Sequence, residues 1–318
     1  MNKLLLSLLF TIASFAVEAA KFPVTIQSCG QPVTFNHPPK RAIINDINMA
    51  EMVFALKLQE NIVGLTGITG WYKMSPEFRK QMGNIPELAP KYPSLETLLS
   101  HKPDFFFAGW NYGMKIGGEV TPQKLAQYGI PTFVLSESCL FTDSQQKKAS
   151  MDLLYNDQIT LGKIFGKEKD ALSLVEQWKH KITTLPQRPS HIRPTKVFVY
   201  DSGEDKPFTS GKYAMPTAII ETAGGRNIMD DIEASWTSST WETVSMAEPE
   251  LIILLDYQTG SGADGLRKFL ESHPLMKQTP AVKQGRYLKL QYSELTPSPA
   301  NINAIEKLAH ALYGRNEP

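Results

Sequence analysis

The sequence predicts an α/β protein of two lobes, each a parallel sheet covered by helices, with one long helix joining them. Three observations lead there. Short apolar strand patterns alternate with helical ones along both halves of the chain. Residues 143–166 carry one uninterrupted helical pattern near its middle. A segment of the first half, around Glu96, is echoed in the second, around Glu242.

Taken in order, residues 1–19 read as an export leader. Met1-Asn2-Lys3 gives a positive start, residues 4–17 an apolar core, and Val17 and Ala19 small residues at the −3 and −1 positions of a cleavage site. The apolar run is too short for a membrane span. A soluble periplasmic monomer, cut near Ala19, is expected, and no cysteine at the cut offers a lipid anchor.

The first lobe is expected over 20–142. Residues 21–41 read as a hairpin or arm ending at Pro38-Pro39. Strand patterns follow at 42–44, 62–65, 105–108 and 131–135, with helical ones from Met49 to Leu56 and at 94–100 and 122–128. The connecting helix is expected over 143–167, with Asp143 as N-cap and Gly166 as terminator, a rod of roughly 35 Å at 1.5 Å per residue. Alone, that pattern fits either a surface helix of one domain or a strut between two. The second lobe, 168–318, opens with a helix at 168–184 and a Pro-rich break. Strands at 196–200, 251–256 and 287–290 then alternate with helices at 215–223, 265–271 and 300–312.

The echo decides for the strut. Ser94-Leu95-Glu96 leads to Pro103-Asp104 and the strand Phe105-Phe106-Phe107, while Thr240-Trp241-Glu242 leads to Pro249-Glu250 and Leu251-Ile252-Ile253. In both, a helix carrying Glu runs through a proline followed by an acid into an all-apolar strand.

Composition bounds the function. The 318 residues carry 33 Lys and Arg against 32 Asp and Glu, a net charge of +1, which gives no footprint for nucleic acid. At 42% hydrophobic the chain supports ordinary cores and falls short of a membrane protein. Cys29 and Cys139 both follow the leader. They are either a disulfide or two buried thiols, and an oxidising compartment favours the disulfide. Two isolated cysteines do not make a metal site.

At these residues the chain resembles the solute-binding components of bacterial ABC importers for iron–siderophores, haem and corrinoids (class III, helical-backbone type). The marks are Pro38-Pro39-Lys40-Arg41, Pro93-Ser94-Leu95-Glu96 with Lys102-Pro103-Asp104, Ala223-Gly224-Gly225-Arg226-Asn227-Ile228, Trp241-Glu242-Thr243-Val244 with Glu248-Pro249-Glu250, and Pro280-Ala281-Val282-Lys283-Gln284-Gly285-Arg286. The resemblance spans the mature chain and implies two Rossmann-like lobes on a stiff helix that close only modestly. It also implies that Glu96 and Glu242, one per lobe, meet basic residues of a membrane permease. Otherwise the two are ordinary solvated helix carboxylates.

Ligands of open parallel sheets bind beyond the carboxyl ends of the strands. The loops expected there carry Asp46, Asn48, Trp71, Tyr72, Trp110, Asn111 and Tyr112, with Glu137 close by. The second lobe adds Asp201, Glu204, Asp205, Tyr213, Trp236, Asp256, Tyr257 and Tyr292. Aromatic faces with a few polar tips suit a large, partly apolar ligand. Each residue alone could instead pack at a core edge. With several carboxylates and almost no Arg, the set offers no clamp for an anionic carboxylate siderophore and favours a neutral or cationic chelate, a hydroxamate-type iron complex or a corrinoid. None of the six histidines falls in these loops, which demotes haem and bare metal capture.

Gly260-Ser261-Gly262-Ala263-Asp264-Gly265 fits G-x-G-x-x-G, but no carboxylate follows about 20 positions on, so a flexible turn suffices and no cofactor is expected. The rival function is an exported enzyme using paired carboxylates such as Asp201 and Asp256. No nucleophile–base order or metal-ligand spacing supports it.

Overall fold

The computed structural model describes residues 22–71, 74–142, 147–257 and 262–314. The expected leader lies outside them, as does Asp143. No helix among the described residues is long and apolar enough to cross a membrane.

The amino-terminal arm is a hairpin of β1 (Val24–Ser28) and β2 (Gln31–Phe35). Its two-residue turn, Cys29-Gly30, has positive φ at both positions, the combination that matches the twist of paired strands. Cys29 is bonded to Cys139, tying the hairpin to the end of the first lobe.

That lobe continues through β3 (Ala42–Asn45), α1 (Ile47–Ala55), β4 (Ile62–Thr66), α2 (Pro76–Met82) and β5 (Glu87–Ala89). It closes with α3 (Leu95–Ser100), β6 (Phe105–Trp110), β7 (Gly113–Met114), α4 (Pro122–Ala126) and β8 (Thr132–Val134). The strands lie in the order β5-β4-β3-β6-β7, with β8 also on β6, and every pairing is parallel. β3 and β6 are buried along their whole length, as strands covered on both faces must be.

The connecting helix differs from expectation. α5 (Asp152–Ile164) begins nine residues later than 143, and residues 147–150 are non-helical. Partners outside the helix explain this. The Ala149 N–H donates to the Lys212 carbonyl at 3.0 Å, Lys148 pairs with Glu221 and Asp230, and the Ser150 hydroxyl accepts from the Asp152 N–H. The first two contacts tie Lys148 and Ala149 to the second lobe, while the third is local to the start of α5. α5 itself is held by the first lobe. The Asp157 carboxylate accepts from the Ser136 N–H and hydroxyl, and the Gln158 amide donates to the Met52 carbonyl at 3.0 Å. α6 (Glu168–Thr183) then packs against α5 and against the carboxyl-terminal helix of the second lobe.

The second lobe runs through β9 (Lys196–Tyr200), β10 (Phe208–Ser210), α7 (Met215–Thr222), β11 (Arg226–Asn227), β12 (Trp236–Ser238) and α8 (Trp241–Met246). There follow β13 (Leu251–Asp256), α9 (Gly262–Ser272), α10 (Pro280–Lys283), β14 (Tyr287–Gln291), α11 (Tyr292–Leu295) and α12 (Asn301–Tyr313). The sheet order is β11-β9-β13-β14, again all parallel, and β10 with β12 forms a separate antiparallel ribbon.

Strand alternation sorts the core into three bodies. Val197, Val199, Leu251 and Ile253 join Ile44, Phe105 and Phe107 in one cluster that runs through α1, α5, α6, α7 and α12 from lobe to lobe. The intervening residues face outward. Ile43, Phe106 and Ala108 pack under α3, and Phe198, Tyr200 and Leu254 under α8. A shared apolar core at the seam resists separation of the lobes.

The echoed segments are alike in detail. Ser94 and Thr240 cap α3 and α8, each accepting from the N–H three residues on. Lys102 and Glu248, just before the prolines, both hold φ near +50°. Asp104 then accepts from the Lys40 and Arg41 N–H groups, and Glu250 from the Lys196 N–H, so each acid fixes the entry to the neighbouring strand.

Candidate functional site

The pairing of Ala42 with Phe105 matches that of Val197 with Leu251. Asp46 and Asp201 therefore stand at the same place, just past the carboxyl end of the strand that the echo positions. Asp46 has φ 66°, and its carboxylate accepts from the Ile47 N–H at 2.8 Å, which caps α1 with a negative charge at the favourable end of the helix dipole. Its other oxygen accepts from the Tyr292 hydroxyl at 3.0 Å, across the seam. Asp201 accepts from the Ser202 hydroxyl at 2.6 Å and from the Tyr257 hydroxyl at 2.7 Å. A third pair adds Glu137, which takes the Tyr112 hydroxyl at 3.3 Å and, across the seam, the Met215 N–H at the start of α7 at 2.5 Å.

Between these pairs lies a cavity of about 260 Å³ whose walls include Tyr112, Phe208, Trp236, Tyr257 and Tyr292. Trp236 of β12 stacks on Phe208 of β10, with centroids 6.1 Å apart and planes at 20°. Asn111, at φ 61°, completes the rim, its carbonyl accepting from the Tyr92 hydroxyl. Among the described residues, no Lys, Arg or His lines this cavity. Burial, with the carboxylates of Glu137 and Asp46 next, pushes the Tyr112 phenol well up. Tyr292 and Tyr257 move the same way for the same reasons, beside Asp46 and Asp201. Burial also raises Glu137 to about 7. The phenols keep their protons, and the carboxylates hold them.

Of the residues expected at the cleft, the structure brings Asp46, Asn111, Tyr112, Asp201, Trp236, Tyr257 and Tyr292 together. Trp110 is a correction. It is the last residue of β6, and alternation puts it on the outer face with Phe106 and Ala108, only 5% exposed. Asn48 is fully buried inside α1 and donates to the Pro297 carbonyl at 3.2 Å, a seam contact. Asp256 accepts from the Ala263 N–H at 2.9 Å at the start of α9 and, unlike Asp201, is not among the cavity's lining residues. Tyr213 lines a different pocket beside Lys147 and Lys148. Glu204 and Asp205 are exposed on a turn, and the Glu204 carbonyl accepts from Trp241. Trp71 closes a 3-10 turn (Thr69–Trp71), while Tyr72 and residues 260–261 of the glycine-rich stretch lie outside the described residues. Tyr92, Phe141, Phe208 and Ser235 were not anticipated. Phe208 belongs to the β10–β12 ribbon and Ser235 immediately precedes its second strand; the three-residue strands are too short to show a period.

Glu96 and Glu242 are exposed in the first turns of α3 and α8. No cluster of three or more His, Cys, Asp or Glu that could hold a metal ion occurs among the described residues.

Comparison with known proteins agrees with this architecture. An ABC transporter substrate-binding lipoprotein of Bacillus subtilis, YvrC, is 23% identical over 92% of this chain and 86% of its own length. A vitamin B12-binding protein of Pectobacterium atrosepticum is 25% identical over 68% of this chain and 71% of its own. Among solved structures, an ABC-type Fe3+-hydroxamate transport system protein of Saccharomonospora viridis superposes with a TM-score of 0.75 at 22% identity, over 92% of this chain and 99% of that one. A family model described as periplasmic binding protein matches residues 46–291, and the chain belongs to that family.

Proposed function

We propose that this protein is the solute-binding component of an ABC importer, exported after loss of residues 1–19, which takes a metal chelate between its lobes and delivers it to a membrane permease. A ferric hydroxamate is the main candidate. The observation that carries the reading is the aromatic cavity at the strand ends, walled by both lobes and with no cationic lining residue among those described. Such walls favour a bulky, partly apolar, non-anionic ligand. The Saccharomonospora relative points to ferric hydroxamates.

Haem fits less well, because the phenols that could bind its iron hold their protons against carboxylates and titrate above the usual range. The corrinoid reading draws its support from the Pectobacterium relative. No reaction is required, since the work done is binding energy, released when the permease favours the open form. Glu96 and Glu242 are assigned to docking, where exposed charges at matched positions register a partner more than they add affinity.

Titration of Trp236 fluorescence with ferric hydroxamates and with cobinamide tests this. Saturable quenching by one of them, lost in Trp236→Phe, is expected, and flat titrations across both classes would overturn the chelate reading. Replacing Glu96 and Glu242 together by Ala should reduce uptake in cells while leaving ligand affinity unchanged.

A further inference from the structure

Glu137 is not in the lining of the cavity, yet it is bonded to the lining residue Tyr112 and to the second lobe. It is 3% exposed, in the 3-10 segment Ser136–Phe141 that follows β8. One carboxylate oxygen accepts the Met215 N–H, the first of α7. Ala214, at the N-cap of that helix, has no side-chain acceptor to offer. A first-lobe carboxylate therefore caps a second-lobe helix, at the end where the dipole favours negative charge. The other oxygen accepts the Tyr112 hydroxyl at 3.3 Å, and the Tyr112 oxygen accepts from the Trp236 side chain of the second lobe. This run of bonds crosses the seam at both ends, at α7 and at the cavity wall, and Glu137 is the acceptor on which it converges.

We infer that Glu137 is the positioning residue of the ligand site. Its ionised carboxylate orients the Trp236 wall of the cavity through Tyr112 and holds the second lobe in register through α7. The inference rests on the reading of the cavity as the ligand site. An ionised carboxylate offers an acceptor oxygen to each donor, whereas a proton on either oxygen puts a hydrogen where the Met215 N–H or the Tyr112 hydroxyl now points. Protonation thus turns one of the two partners away. Burial, opposed by these two bonds and reinforced by Asp157 of α5, raises the group to about 7, which brings the change within ordinary pH. The other charged or titratable groups on this side, Lys147, Lys148, Asp152 and Tyr213, line a second pocket together with Glu137.

The first arm of the test needs no ligand. In the full-length mature protein, the part of the fluorescence that is lost in Trp236→Phe should change in one step near pH 7. Glu137→Gln, an isostere of the protonated acid, should remove the step and show the acid-side signal throughout. Asp157→Asn should move the step to lower pH without removing it. A flat profile in the wild type, or a step that survives in Glu137→Gln, overturns the inference. In the second arm a ferric trihydroxamate and cobinamide are titrated at pH 8, where Glu137 is ionised. Glu137→Ala should weaken whichever binds by about tenfold, with Glu137→Gln in between. Unchanged affinity in both variants overturns the positioning role and leaves the chelate reading standing. Failure of both chelates to bind, with the step present in the wild type and lost in Glu137→Gln, removes the chelate and supports the role of Glu137.

Discussion

Asp46 and Asp201 occupy the same position in two copies of one architectural unit, yet they are closed off differently. Asp201 takes its tyrosine, Tyr257, from the end of the neighbouring strand in its own lobe. Asp46 takes Tyr292 from α11, in the other lobe. The second lobe thus builds its part of the cavity by itself, while the part around Asp46 is complete only with the lobes together. The repeat supplies the carboxylates, and elements without a counterpart supply what they bind.

Several changes would break or sharpen that comparison. The largest effect is expected from the one covalent difference between the lobes described here, the Cys29–Cys139 bond, which closes a span of 110 residues. Cys29→Ser with Cys139→Ser should lower stability by about 4 kcal/mol on loop entropy, seen as a lower melting temperature confined to the first lobe in hydrogen exchange. Next come the tryptophans on the outer faces. Trp241→Ala should cost about 3 kcal/mol or more, since the ring is 4% exposed among Tyr200, Phe269 and His273. Trp110→Phe should cost less and leave chelate affinity untouched. A loss of affinity would restore Trp110 to the cleft.

A smaller difference separates the acids after the prolines. Asp104→Asn gives up charged bonds to two backbone N–H groups, whereas Glu250→Gln gives up one and a pair with the exposed Arg193. The first should cost about 1 kcal/mol more in urea denaturation.

The pH dependence is a further asymmetry. Glu51, Glu137 and Asp157 are each raised to about 7, chiefly by burial, and all lie on α1, on the end of the first lobe or on α5. In the folded state they hold protons that the unfolded chain releases above its ordinary carboxylate range. Their contribution is therefore full below about pH 4 and is lost as pH rises through 7. Stability should fall from pH 5 to pH 8, by at most about 1.4 kcal/mol per unit for each group, and Glu137→Gln should flatten the slope. The smallest effect is expected from Glu96→Ala or Glu242→Ala alone, within about 0.5 kcal/mol, because both are solvated.

Much of this was legible from residue patterns. β9 and β13 fall at the strand positions read from the sequence, and the Glu–Pro–acid echo falls on corresponding elements of the two lobes, α3 with β6 and α8 with β13; the equivalence of Asp46 and Asp201 comes only from the strand register. Three features were not legible. α5 starts late because Ala149 and Lys148 find partners more than 60 residues away, which no local pattern records. Trp110 looked like a loop residue because β6 runs two residues past its apolar stretch, and only strand register decides which way the ring points. The ribbon that brings Phe208 to Trp236 joins two three-residue segments distant in sequence, so its contribution to the cavity arises wholly from tertiary pairing.

The path of the chain through the seam limits how such a molecule can move. From the first lobe it touches the second at Ala149, returns to be anchored beside Met52 and Ser136, and leaves again along α6. A lone axle would permit swivelling. A thread laced back and forth resists torsion and leaves shallow rocking as the available motion, so a permease gripping both halves need tilt them only slightly to release the cargo.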